Sequence, residues 1–70
     1  MMPLTMTKVG ETRYIIRISG KDETKRFLAN LGFVEGQPVT VVSEIAGNMI
    51  VNVKETRVAI DKAMANRIMV

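Results

Sequence analysis

Apolar residues along the chain change their spacing several times, and each change predicts a new element. Between Asp22 and Leu31 they fall at Phe27, Leu28 and Leu31, the spacing of one helix face. Gly32 follows at the position just past a helix end, where a left-handed backbone costs glycine almost nothing. Phe33 is then placed to fold back onto Leu28, as the residue after such a glycine does. Val34-Glu35-Gly36-Gln37 carries glycine at the third turn position, which suits a type II turn, and Pro38 bars further helix. Leu28, Leu31, Gly32, Phe33, Gly36 and Pro38 therefore make a structural hinge that swings the chain from helix into strand. Upstream, Asp22 is the expected N-cap, Glu23 complements the positive end of the helix dipole, and Lys25 and Arg26 face water.

Elsewhere the period is two. Thr12 to Ile18 is rich in β-branched and aromatic residues, but Ile15 interrupts the alternation of Tyr14, Ile16 and Ile18. One long strand, bent by a bulge near Ile15 or Ile16, is the expected result. Further strands are expected over Val39 to Glu44 and over Met49 to Lys54, with the hairpin loop Ile45-Ala46-Gly47-Asn48 between them and Met49, Val51 and Val53 on one face. Glu55-Thr56 is short enough for another hairpin, and Arg57 to Ile60 sets Val58 and Ile60 together. Asp61 then caps a helical turn over Lys62 to Asn66, and Arg67 to Val70 forms the last strand with Ile68 and Val70 inward. Met1 to Lys8 is a lead-in offering Leu4, Met6 and Val9 to the core, and turns are expected at Gly10-Glu11 and Ser19-Gly20-Lys21. The order predicts a mainly β domain with one short helix and one helical turn. Five short strands closing on themselves match a small five-stranded SH3-like barrel, since closure removes exposed edges.

Length and composition narrow the class. Seventy residues support one domain, 1–70. So short a chain removes only about 60% of its unfolded surface from water on folding, which favours strands sharing one interior. Apolar residues at 47%, with charges of both signs at 24%, argue against disorder. No apolar run approaches the roughly 18 residues that cross a bilayer, and the start of the chain lacks the basic opening and apolar centre of a signal peptide. A soluble chain without cysteine has no disulfides and fits a cytoplasmic location. The net charge of +3 is a mild excess. Its arginines and lysines are scattered along every element, as on a solubilising surface rather than the clustered footprint of a nucleic-acid binder.

Most catalytic chemistry is excluded by inventory. Without His or Cys the chain has no general base suited to neutral pH, no thiolate nucleophile and no recognisable zinc or copper ligands. Of the seven acids only Asp22 and Glu23 are adjacent, and neighbouring helical positions do not face each other. Gly20-Lys21 fails as a phosphate loop, because Ile15 stands where the earlier glycine belongs and Asp22 follows the lysine. The six methionines are dispersed and read as gap-filling or adaptable surface rather than a metal box. With no Trp and only Tyr14 beside Phe27 and Phe33 at the helix end, the chain cannot build an aromatic groove for proline-rich peptides or a platform for stacked bases.

Taken in order, Leu4, Gly10, Leu31-Gly32-Phe33-Val34-Glu35-Gly36, Val39-Thr40-Val41, the loop at Gly47, Arg57-Val58-Ala59-Ile60, Ala65 and Ile68 resemble the FeoA family of ferrous iron transport proteins. The usual hinge of that family reads Leu-Gly-Leu-x-Pro-Gly. Phe33 is a conservative exchange within it, Glu35 gives up the stiffness of the proline, and Gly47-Asn48 lacks a proline often found there. The resemblance implies an SH3-like barrel that works beside FeoB, a membrane ferrous iron transporter with a cytosolic GTP-binding domain, by contacting that cytosolic part. It implies no catalytic residue and no cofactor, and transition-metal binding enters through the family alone. Two alternatives stand beside it. One is the SH3-like C-terminal domain of iron-dependent repressors of the diphtheria toxin repressor type, which follows a DNA-binding domain that is not seen ahead of Met1. The other is a small nucleic-acid-binding barrel.

A binding module of this kind is expected to use its hairpin loop. Ile45, Ala46 and Met49 surround the Gly47-Asn48 tip, loops stay at the surface because their backbone needs water, and methionine adapts to a partner. The strand face bearing Arg13, Arg17 and Arg57 is the second candidate. The expected partner is the cytosolic domain of the transporter, with weak self-association as a further contact, and with neither nucleic acid nor membrane insertion. No metal site is expected, because the acids are spread over turns and helix starts.

Overall fold

Six strands fall into two antiparallel sheets in the computed structural model, which describes residues 1–70. The smaller sheet pairs β2 (Arg17–Ile18) with β6 (Ile68–Met69). The larger runs β1 (Thr12–Tyr14), β3 (Pro38–Ile45), β4 (Asn48–Val53) and β5 (Thr56–Asp61) in that spatial order. The helix α1 (Asp22–Asn30) connects β2 to β3, the single turn α2 (Lys62–Ala65) connects β5 to β6, and a 3-10 turn spans Leu4–Met6.

The larger sheet forms as its alternation dictates. Val39 and Val41 of β3, Met49, Val51 and Val53 of β4 and Ile60 of β5 are buried, and the register sets Val39 opposite Val53 and Val41 opposite Val51. The other face carries a polar row, Thr12, Thr40, Asn52 and Arg57, in which the Thr12 and Thr40 hydroxyls lie 2.8 Å apart and share a hydrogen bond. Asp61 caps α2 as expected, its carboxylate accepting from the Met64 N–H at 2.8 Å. Ile68 and Val70 point inward.

The hinge adopts the expected geometry in each of its parts. The Gly32 N–H donates to the Ala29 carbonyl and the Phe33 N–H to the Leu28 carbonyl, both at 2.9 Å, with Gly32 at φ 107°. That pair of bonds is the glycine-ended helix terminus, and Leu28 and Phe33, fully buried, make its apolar contact. Gln37 then donates to the Val34 carbonyl at 3.1 Å with Gly36 at φ 84°, a type II turn. The Gly36 N–H reaches the Ile15 carbonyl at 2.8 Å, tying this turn to the segment between β1 and β2.

That segment departs from the expected single bent strand. Ile15 donates to the Gln37 carbonyl at 3.0 Å, beside β3, while Ile16 donates to the Met69 carbonyl at 2.8 Å, in β6. The backbone changes partner between the two isoleucines, so the chain leaves one sheet and enters the other. The alternation resets there: Ile15 and Ile18 are buried, while Tyr14 and Ile16 face out. Five strands closing into one barrel are thus replaced by six strands in two sheets linked through Ile15 and Ile16.

Four local expectations also change. The N-cap of α1 is Lys21, whose extended backbone precedes Asp22 as the first helical residue, and no side chain caps the helix. Phe27 is half exposed, because Leu28 and Leu31 alone turn the helix toward the core. In the lead-in Leu4 is buried while Met6 faces solvent, since the 3-10 turn has three residues per turn and presents one side chain inward, and Val9, beyond that turn, is also exposed. The second hairpin turns on Lys54-Glu55, both at positive φ, one residue earlier than expected. Met2 and Val70 meanwhile exchange backbone hydrogen bonds at 2.9 and 2.8 Å, and Pro3 bridges to Met69.

Candidate docking surface

The hairpin between β3 and β4 is tighter than a four-residue loop. Ala46 and Gly47, at φ 50° and 82°, form a two-residue turn of type I′, and Ile45 and Asn48 close it as a ladder pair. Ile45, Ala46, Gly47 and Asn48 are exposed, Ile45 at 61%. Met49 is not part of this surface. With β4 starting at Asn48, the first inward position is Met49, and it is fully buried opposite Glu44 and Ile60.

The three arginines do not share a strand face. Arg13 of β1 lies opposite Val39 and is held by the carboxylate of Glu11. Arg57 of β5 lies opposite Asn52, next to the Lys54-Glu55 turn. At about 3.3 Å per residue, the length of β4 separates that turn from Ala46-Gly47 by roughly 17 Å. Arg17 of β2 belongs to a different sheet and lines a cleft against α1.

This cleft, of about 580 Å³, is bounded by Arg17, Ile18, Lys25, Ala29, Phe33, Val34 and Glu35. Its construction follows from local structure. Lys25 and Ala29 are four apart on α1 and so share a face, and the small Ala29 side chain leaves space that a larger residue would fill. The glycine-ended helix terminus fixes Phe33 as its inner wall, and the type II turn presents Val34 and Glu35 at the rim. Arg17, Lys25 and Glu35 form no ion pair with any other residue. Tyr14, 65% exposed, pairs with the exposed Pro38, and Ile16, 54% exposed, lies two residues further on. The Ile15–Gly36 hydrogen bond joins this apolar strip to the turn that forms the cleft rim.

Lys25, Ala29, Val34 and Glu35 were not foreseen as site residues, although the i, i+4 spacing of Lys25 and Ala29 was readable. Of the residues expected to bind a partner the cleft gathers Arg17 alone, and from the hinge it takes Phe33. No group of three acids converges to hold a metal ion, and no helix is long and apolar enough to cross a membrane.

Comparison with known proteins fits this architecture. Among solved structures, an iron uptake regulatory protein, FeoA, superposes with a TM-score of 0.88 and 25% identity, covering 96% of this chain and 91% of that one. Stenotrophomonas maltophilia FeoA complexed with zinc, described as an SH3 domain protein, gives a TM-score of 0.84 and 25% identity over 99% of this chain and 88% of the other. A manganese-dependent transcriptional repressor gives 0.84 and 25% over 94% of this chain but 38% of its own, so that likeness is to one part of a longer protein. No curated protein sequence gives a significant match. The FeoA domain family model matches residues 2–70, and the chain belongs to that family.

Proposed function

We propose that this chain is a cytoplasmic accessory module of bacterial ferrous iron uptake that docks on the cytosolic GTP-binding part of a FeoB-type transporter. The family match supports the pathway. The observation that carries the docking mode is the cleft between α1 and β2, where Arg17 and Lys25, both free of ion pairs, flank an apolar floor beside the exposed strip of Tyr14, Ile16 and Pro38. Apolar area supplies affinity and the cations orient the partner. We read the two sheets, linked through Ile15 and Ile16, as a split form of an SH3-like barrel. The chain acts by binding rather than catalysis, because it has no His or Cys and its acids do not cluster. A standard interface covers about 800 Å² per partner, a large share of a small domain, so a transient complex with a dissociation constant of about 1 μM or weaker is expected.

Calorimetry against the recombinant cytosolic domain of the transporter tests this. Arg17→Glu and Ala29→Trp should each weaken binding by about tenfold or more, while Ile45→Ser at the hairpin tip leaves it within about twofold. Loss of binding in Ile45→Ser with wild-type affinity in the cleft variants would move the interface to the hairpin. No binding by the wild-type chain would reject the accessory role.

The likeness to part of a manganese-dependent repressor carries a second reading, a metal-responsive regulatory domain. Anaerobic titration with Fe(II) and Mn(II) separates the two. We expect no stoichiometric site of about micromolar affinity, since carboxylates alone would have to supply the ligands and no three converge. Finding one would favour the regulatory reading.

A further inference from the structure

β5 is the last strand of the larger sheet, and its outer edge has no partner. Its pairing with β4 fixes which of its groups face that edge. Val53 and Thr56 flank a two-residue turn and so form a hydrogen-bonded pair, and such pairs recur at every second position, Val51 with Val58 and Met49 with Ile60. Arg57, Ala59 and Asp61 occupy the alternate positions, with their peptide N–H and C=O directed at the free edge. None of the turn, loop or cap backbone bonds engages Arg57 or Ala59. All three side chains are exposed on the same face of the sheet.

We propose that this edge pairs with the same edge of a second copy of the chain, antiparallel about a two-fold axis through Ala59. Charge selects both the occupant and the register. With Ala59 opposite Ala59, Arg57 of each copy stands opposite Asp61 of the other, so one register makes two complementary pairs. A shift of two residues sets Arg57 opposite Ala59 or Ala59 opposite Asp61 and loses both, and a shift of one residue no longer sets edge-facing groups opposite each other. Asp61 caps α2 through one carboxylate oxygen and keeps the other for the arginine. On the inner face the half-buried Val58 comes to lie opposite Ile60 of the other copy and is covered. The small side chain of Ala59 lets the strands approach at the axis. The two four-stranded sheets then join into one, which removes two exposed edges at once.

A single strand pairing of this length lies at the small end of specific interfaces, so a dissociation constant of about 0.1 to 1 mM is expected. Sedimentation equilibrium over about 10 μM to 2 mM measures it. Arg57→Glu, which sets like charges opposite each other twice, should raise the constant by about tenfold or more. Ala59→Pro should do the same by removing the central donor, while the hairpin stays intact because the N–H of residue 59 is not in the β4 ladder. Adding Asp61→Asn to Arg57→Glu should recover part of the loss, since asparagine still caps α2. If Ala59→Pro melts the hairpin, as circular dichroism would show, Arg57→Glu decides alone. A wild-type chain that is monomeric throughout, or variants that dimerise like the wild type, would overturn the proposal.

Discussion

The two ends of α1 are built to different standards. At its C-terminal end two backbone bonds at 2.9 Å, a glycine at φ 107° and the buried pair Leu28 and Phe33 hold the chain in one arrangement. At its N-terminal end Lys21 offers no capping side chain, and Lys21, Asp22 and Glu23 are exposed. Nine residues are too few to stand as a helix in water, where about 12 to 15 are marginal even for favourable sequences. The helix is therefore an extension of its anchored end. Asp22 and Glu23 add only the modest attraction of acids to the positive helix terminus. For the cleft the difference matters, since Ala29 and Phe33 belong to the fixed end and Lys25 to the looser half.

The sharpest way to break this asymmetry is Leu28→Ala. Emptying a fully buried leucine site should cost about 2 to 5 kcal/mol, comparable to the whole stability of a domain this small, so the variant should be largely unfolded by thermal or urea melting. A loss below about 1 kcal/mol would show that the anchor is elsewhere. Next comes Gly32→Val, expected to cost about 1 to 3 kcal/mol through backbone strain at this positive φ. A Cβ there would meet Lys54 and Val53 side chains no closer than 3.5 Å, an ordinary contact, so an unchanged melting temperature would mean the helix end rearranges freely. The smallest effect has the opposite sign. Lys21→Asp supplies a carboxylate where the backbone is already extended, at φ −74° and ψ 158°, and should stabilise by about 0.5 to 1 kcal/mol. Slower amide exchange in the first turn of α1 would accompany it, and no change at either level would mean that this end is already satisfied by water.

The parts of the fold that could be read from the sequence are the ones decided by neighbours in the chain. Leu28, Gly32, Phe33 and Gly36 declare a helix end and a turn within nine residues, and Met49, Val51 and Val53 declare a buried face by strict alternation. Ile15 and Ile16 could not be read this way. Their split is decided by Gln37 and Met69, residues remote in sequence that bond them into different sheets. The same holds for the site. Arg17 was foreseen because arginines are conspicuous, whereas the cleft depends on a small residue, Ala29, facing a strand it does not adjoin in sequence. The sequence offers Met49 both to the buried alternation of β4 and to the loop surface, and the two-residue turn closed by Ile45 and Asn48 decides for the core.

The reciprocal bonds between Met2 and Val70 bear on how the chain reaches this fold in time. The β3–β4–β5 meander and the end of α1 can close over short stretches, whereas this seam joins segments separated by almost the entire chain. Contacts of such long range carry the largest loop-closure entropy, and we expect this one to form after the barrier is crossed. Loosening the seam, for example by Val70→Pro, which removes the N–H that donates to Met2, should hasten unfolding while leaving refolding near the wild-type rate, as stopped-flow chevrons would show. A matching slowdown in refolding would instead put the seam in the nucleus. With a late seam, the lifetime of the folded state is set where residues 2 and 70 meet.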